Sequence, residues 1–305
     1  MSRTAVVVNP KGGTAMGMEA DAVEDAFRSA LGSDTDLRFA NGADLPSVMQ
    51  TAFEDEAVGR VVVAGGDGTA SLAGKLAAAA DKPFGIVPLG TMNLFARTIG
   101  MPLDPTAAIA ALGDPEIRHV DCGTVNGEVF VNHVSLGFHP QLVRMRDAFP
   151  RGSRLQRMWN GLRVYGRLMA HHRKLRLSVT GDFTPFGAEV GLAVISVNPI
   201  QEGTAKIPHP DGQRDGSFGV YLSTHKSAWD LNKVVWRLLN GTLRESEHII
   251  YRRTRTVTIE ADAALHMSVD GEVGVAPTPV ECAVQPGRLQ VLVPRGSTEA
   301  RGNRT

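Results

Sequence analysis

Short β-branched runs alternate with stretches that repeat apolar residues at helical spacing through the first ~120 residues. Thr4–Val8, Asp36–Phe39, Val61–Ala64, Phe84–Pro88 and Ile117–Val125 read as strands, each bounded by turn residues. Ala15–Leu31 reads as an amphipathic helix. A second follows Asp44, with Pro46 suited to its first turn. A third, rich in alanine, runs to about Ala80, and Asp104-Pro105 opens a fourth with an N-cap and an early proline. Strand and helix in strict alternation predict a doubly wound α/β domain. Its sheet is parallel, with ligand loops at the strand carboxyl ends.

The pattern changes after Val125. Asn126-Gly127 between apolar residues signals a hairpin. Strands then dominate, at Leu175–Thr180, Val190–Val197, Phe218–Leu222, Thr256–Glu260, Leu265–Val269, Val280–Val284 and Leu289–Val293. Helical segments interrupt them at Arg154–His172 and Lys226–Leu239. Three units are expected: an α/β domain over 1–125, a mostly antiparallel domain over 126–294 and a polar, disordered tail over 295–305. No flexible linker separates the first two, so they are expected to pack closely.

Composition narrows the classes. With 305 residues, 43% hydrophobic and 21% charged, the chain can bury a full core. The formal net charge is zero, so no global field recruits nucleic acid. Cys122 and Cys282 have neither metal nor redox spacing and read as reduced core residues. The chain shows no signal peptide and no apolar run of about 18 residues. A cytoplasmic protein is expected, with at most peripheral contact with the inner face of a membrane.

The most informative motif is Gly65-Gly66-Asp67-Gly68-Thr69, between the strand Val61–Ala64 and the alanine-rich helix. A strand, a tight glycine turn and a helix start present backbone N–H groups and the positive end of a helix dipole to an anion. Asp67 adds a carboxylate at the same place. A carboxylate beside a phosphate is repulsive unless a cation lies between them, so Mg²⁺ is implied. Two more loops fall at strand carboxyl ends: Asn9-Pro10-Lys11-Gly12-Gly13, and Pro88-Leu89-Gly90-Thr91-Met92-Asn93. Each alone is also an ordinary βα turn. Together they outline a crevice for a nucleotide.

In this order and spacing, NPKGG, GGDGT and PLGTMNLFAR resemble the diacylglycerol kinase catalytic family, which includes soluble bacterial lipid kinases and the sphingosine and ceramide kinases. Further matches are Asp121-Cys122-Gly123, Asp215-Gly216-Ser217-Phe218 and Val269-Asp270-Gly271-Glu272. The resemblance spans all but the tail. It implies a nucleotide-binding domain followed by a β-sandwich, with transfer of the ATP γ-phosphoryl group to a lipid hydroxyl between them. By resemblance Asp270, with Glu272 beside it, takes the proton of the acceptor. Asn9, Lys11, Thr69, Thr91 and Asn93 line the nucleotide with Gly65, Gly66 and Gly68. Asp67 and Asp121 serve Mg²⁺ and catalysis. Asp215 resembles a second, structural metal position, and reads equally as a solvated turn.

One position departs from the pattern. Many bacterial members carry Asn-Asp-Phe-Ala after the PLGT loop, where this chain has Asn93-Leu94-Phe95-Ala96. The acid that would help organise the metal is absent, leaving Asp67 and Asp121 to build the site with Asn93 and water. Leu94 keeps open a second class of function, a nucleotide- or lipid-binding regulator that retains the fold. An NAD kinase shares the glycine–aspartate turn but calls for a further Asn-Glu motif, which is missing here. The stretch Arg151–Arg176 carries eight Lys and Arg and no acid, with an apolar stripe at helical spacing. It reads either as a packed helix with a solvated basic face or as a docking surface for anionic lipid. His171-His172 cannot share a helix face, so a metal reading there is rejected. A lipid alcohol at a membrane surface is the expected partner, and a homodimer is compatible with the chain.

Overall fold

Val61-Val62-Val63 is flanked on both sides by other β-branched runs, and the fold buries all of them. The computed structural model describes residues 3–10, 20–137, 174–200, 215–225, 227–239 and 242–296. In it, β1 (Arg3–Val8), β2 (Thr35–Phe39), β3 (Val58–Gly65) and β4 (Phe84–Pro88) form a parallel sheet in the order β2-β1-β3-β4. Val6 pairs with Val62 and Val62 with Gly85. Five helices accompany these strands: α1 (Ala20–Leu31), α2 (Leu45–Glu54), α3 (Asp67–Ala80), α4 (Leu94–Thr98) and α5 (Pro105–Ala111). Strands covered on both faces are continuous apolar runs, as these are. Asp104 caps α5 as expected, its Oδ1 accepting from the Ala107 N–H at 2.8 Å.

The remaining strands are β5 (Pro115–Val125), β6 (Glu128–Phe130), β7 (His133–Gly137), β8 (Leu175–Gly181), β9 (Phe183–Val190), β10 (Leu192–Val197), β11 (Phe218–Ser223), β12 (Ile249–Thr254), β13 (Thr256–Ala261), β14 (Leu265–Val269), β15 (Glu272–Ala276) and β16 (Val280–Pro294). Among the described residues one further helix, α6 (Ala228–Leu239), precedes β12. An antiparallel sheet runs β12-β11-β10-β7-β14-β15, while β16, β13, β8 and β9 extend the first sheet beyond β4. The two sheets enclose a second core built on Phe130, Val134, Leu136, Ile195, Phe218 and Ile259. Asn126 and Gly127 both take positive φ, the two-residue turn that joins β5 to β6.

Two expected elements are redrawn. Val190–Val197 is not one strand. Val190 pairs with Leu175 in the first sheet, and Leu192 pairs with Gly137 in the second, so the chain changes sheet at Gly191. A Cβ there would lie 2.1 Å from the His225 ring, so only glycine fits the corner. Conversely, Val280–Val284 and Leu289–Val293 are one strand, β16, with a shift of register against β5 between Gln285 and Leu289. Its first half packs in the second core and its second half in the first, so residues 289–293 return to the α/β layer. The hairpin expected at Asn126-Gly127 is formed by β5 and β6, whereas the short strands β7, β9, β12 and β15 were not expected as such. Lys11, the Arg154–His172 segment and residues 297–305 lie outside the described residues.

Both cysteines are buried, Cys122 in the first core and Cys282 in the second. Burial pushes each thiol up to about 12, in keeping with reduced, unreactive side chains. Among the described residues no helix is long and apolar enough to cross a membrane.

Candidate active site

The glycine turn after β3 is shaped by contacts that forbid side chains. A Cβ on Gly65 would lie 2.4 Å from Thr69 Oγ1, and one on Gly90 would lie 2.8 Å from Gly66 Cα. The loops after β3 and β4 therefore touch backbone to backbone. Buried Thr69 receives the Asn9 amide at 3.3 Å, which braces the loop after β1 against the first turn of α3. Gly66 is the N-cap of α3 and supplies no side-chain acceptor to its first turn. Gly68 is exposed, with open space where a Cβ would stand. The N-terminus of a 14-residue helix thus faces an uncrowded glycine surface, the environment that holds a phosphate.

Asp67 and Asn93 work inside this frame. Asp67 Oδ2 accepts from the Asn93 N–H at 3.0 Å and Oδ1 from the Leu94 N–H at 2.6 Å, so Asp67 caps α4. Asn93 is buried at positive φ. Its Oδ1 accepts from Gly90 N–H at 2.9 Å and its Nδ2 donates to Gly90 O at 2.8 Å. The side chain expected against nucleotide or metal closes its own loop, while Thr91 is exposed on that loop. Leu94 contributes its N–H to Asp67, and a different side chain there would keep that bond.

Asp270 stands at the joint of the two layers. Asp270 and Gly271, with φ of 48° and 94°, form the tight turn between β14 and β15. The Asp270 carboxylate accepts from Ser71 Oγ at 2.8 Å, from the Val131 and Asn132 N–H groups at 2.8 Å each, and from the His133 N–H at 3.0 Å. Three successive amides make a nest for the anion, and α3 supplies the fourth donor. Gly74 lets α3 approach, since a Cβ there would meet Val131 at 2.4 Å. Exposed Glu272 faces Lys75 of α3 at 3.7 Å. Ser71 and Lys75 are four residues apart, on one face of α3.

His133 was not among the expected site residues. Burial depresses its imidazole below the ordinary histidine range, against the opposing pull of Asp270 and then Asp67. Both carboxylates thus act on one ring. Ser71, Lys75 and His133 carry no motif signal; each is found only because the fold sets it beside an acid.

The other two acids are engaged elsewhere. Buried Asp121 accepts from Gly216 N–H and Gly287 N–H, both at 2.8 Å, tying β5 to the turn before β11 and to the bulge of β16. Asp215 is ion-paired with Arg253 and accepts from Ser217 Oγ. The Arg253 guanidinium thus faces the Asp215 carboxylate. Among the described residues, no group of three His, Cys, Asp or Glu is arranged for a metal. The Asp67 turn still fits Mg²⁺, which commonly takes one or two carboxylates and completes its shell with phosphate and water.

Comparison with known proteins agrees with this architecture. Residues 3–125 match the model of the diacylglycerol kinase catalytic domain, and residues 134–293 match that of the YegS C-terminal NAD kinase beta sandwich-like domain. The chain is 28% identical over 220 residues to a diacylglycerol kinase of Bacillus subtilis (strain 168), covering 70% of this chain and 71% of that protein. It is 30% identical over 311 residues to a "Probable lipid kinase YegS-like" of Pseudomonas fluorescens, covering 100% of both. The crystal structure of a diacylglycerol kinase from Bacillus anthracis str. Sterne superposes with a TM-score of 0.69 at 17% identity, over 96% of this chain and 97% of that one; this likeness concerns the fold.

Proposed function

The chain belongs to the diacylglycerol kinase catalytic family, and from that premise we propose that it is an ATP- and Mg²⁺-dependent lipid kinase. The acceptor is the hydroxyl of a diacylglycerol-like or sphingoid-type lipid alcohol. One observation carries the reading. Asp270 is fixed by four donors from both layers, beside the helix whose first turn can hold phosphate.

Phosphoryl transfer needs positioning and charge neutralisation more than covalent help from the protein. The first turn of α3 and the glycines hold the phosphates. Mg²⁺, when bound at Asp67, neutralises charge on the transferring group. Asp270 accepts the proton of the acceptor hydroxyl as that oxygen bonds to the γ-phosphorus and the bond to the β-phosphate oxygen breaks. Lys75, held near Glu272, adds positive charge on the face of α3 that fronts the second layer. Desolvation lowers the pKa of His133, which favours a neutral ring able to offer a hydrogen bond at the same joint.

The test is incubation with γ-labelled ATP and a panel of lipid alcohols in mixed micelles. Label in an extracted lipid supports the reading. No label in any lipid, from folded protein with Mg²⁺ present, overturns it.

A further inference from the structure

We propose that α6 is a membrane-docking element that rests its Trp229 and Trp236 in the headgroup layer of an anionic bilayer. Trp229 is 70% exposed and Trp236 is 68% exposed. Seven residues are two helical turns less about 20°, so both indoles lie on one stripe. Lys233 falls between them on the same stripe, with 49% of its side chain exposed. Val234 is on the other side of α6 and is buried.

The acid on this helix, Asp230, is tied to the helix start; its Oδ1 lies 4.0 Å from the Lys233 ammonium, a loose pair that leaves the lysine exposed. Asp230 Oδ2 accepts from Ser227 N–H at 3.1 Å, and Ser227 Oγ accepts from Asp230 N–H at 3.2 Å. This is a capping box, and it holds Asp230 at the start of the helix. Residues 227–255 carry six Lys or Arg against three Asp or Glu, in a chain with no net charge. An indole pairs an apolar ring with an N–H donor, which suits the boundary between lipid chains and water. Adding a lysine between two indoles favours an anionic headgroup layer.

A second copy of the chain is the weaker occupant. A two-fold contact through the same stripe would set Lys233 against its own counterpart. The position also suits an enzyme working on a lipid. α6 packs against the segment that leads into β12, the edge strand of the antiparallel sheet, with Asp230 3.5 Å from His248 and Arg237 3.6 Å from Glu245. Asp270 follows β14, four strands further along, or about 19 Å across the sheet. The bilayer would be held beside the cleft and not inside it. The choice of a bilayer as partner rests on the lipid-kinase reading; the binding measurement does not.

The experiment is co-sedimentation with phosphatidylcholine vesicles, with and without phosphatidylglycerol, for wild type, W229A/W236A and K233E. Wild type should prefer the anionic vesicles and lose binding as salt rises. W229A/W236A should lose binding to both by about tenfold or more. K233E should lose only the anionic preference. All three should melt alike and phosphorylate a short-chain, water-dispersed acceptor at the same rate. Equal vesicle binding by wild type and W229A/W236A overturns the proposal, as does a wild-type dimer that W229A/W236A dissociates. A protein that phosphorylates no lipid, yet loses vesicle binding on W229A/W236A, refutes the kinase reading and supports the surface.

Discussion

Ser71 donates its hydroxyl to Asp270 Oδ2 at 2.8 Å across 199 residues of sequence. The bond links the helix that begins at the glycine turn to the turn that carries the acid. Ser71 lies five residues after Gly66, so about 7.5 Å of helix axis separates the phosphate cradle from the group that positions Asp270. A helix is stiff over that length. On the proposed reading, the spacing of the donor and acceptor halves of the site is therefore set by α3 and does not depend on loop closure.

Asp270→Asn should lower kcat by about 10²–10⁴-fold, because the amide cannot take the acceptor proton. It should also lower stability by about 1–3 kcal/mol, because its NH₂ faces backbone donors that now meet a carboxylate. ATP affinity should hold, since the cradle lies on the other layer. Steady-state kinetics, ATP titration and urea melts separate the three effects. An unchanged kcat would move the base elsewhere.

Ser71→Ala removes one of four donors and leaves the acid in its amide nest. The loss expected is about 1–1.4 kcal/mol, or up to roughly tenfold in kcat, with KM for ATP unchanged. Ser71→Thr, which keeps the hydroxyl, should recover most of it. A Thr variant as weak as Ala would show that packing against α3, and not the bond, matters here.

Much of this site was legible in the chain because its turns demand particular residues. A Cβ on Gly65 would strike Thr69 in the same turn and one on Gly90 would strike Gly66 of the neighbouring loop, and Asp270-Gly271 is the dipeptide its turn requires. Such constraints are local, so they leave a mark in sequence. Ser71, Lys75 and His133 left none, since their partners come from segments distant in the chain. Asn93 was legible as important, but its amide serves its own loop. The change of sheet at Gly191 was hidden for the same reason: an apolar run looks alike whether it stays in one sheet or crosses to another. The single strand β16 was obscured by Pro286-Gly287, which reads as a turn and folds as a bulge.

His133 gives the protein an acid-side weakness. Burial holds its folded pKa below the ordinary 6.5. Between the folded value and 6.5 the unfolded chain binds more protons, so stability rises with pH across that window. The contribution is full above about pH 6.5 and is lost as pH falls through the folded value. His133→Gln should flatten the slope of unfolding free energy on the acid side of pH 6.5. Urea melts at a series of pH values would show it. A slope equal to that of wild type would mean that other groups carry the acid response.

Leu94→Asp tests what Asp67 does. In the native chain Asp67 takes the N–H groups of Asn93 and Leu94, and this cap needs no metal. A new acid at the first residue of α4 gains from the helix dipole by about 0.3–1 kcal/mol. It also sets a second carboxylate near the first, a repulsion of about 1 kcal/mol in water and about 4 kcal/mol near a protein surface at 4 Å. Repulsion should win without a divalent cation, so the variant should melt below wild type in chelator. Mg²⁺ should then raise its melting temperature more than it raises that of wild type, because two acids can share the ion. A variant indifferent to Mg²⁺ would mean that the Asp67 turn is a cap and no metal position. Activity gives the second answer. If native Leu94 permits catalysis, the variant should change the Mg²⁺ concentration needed for half-maximal rate more than it changes the maximal rate. A silent wild type that becomes a kinase on Leu94→Asp would instead make the natural chain a binding protein on a kinase fold.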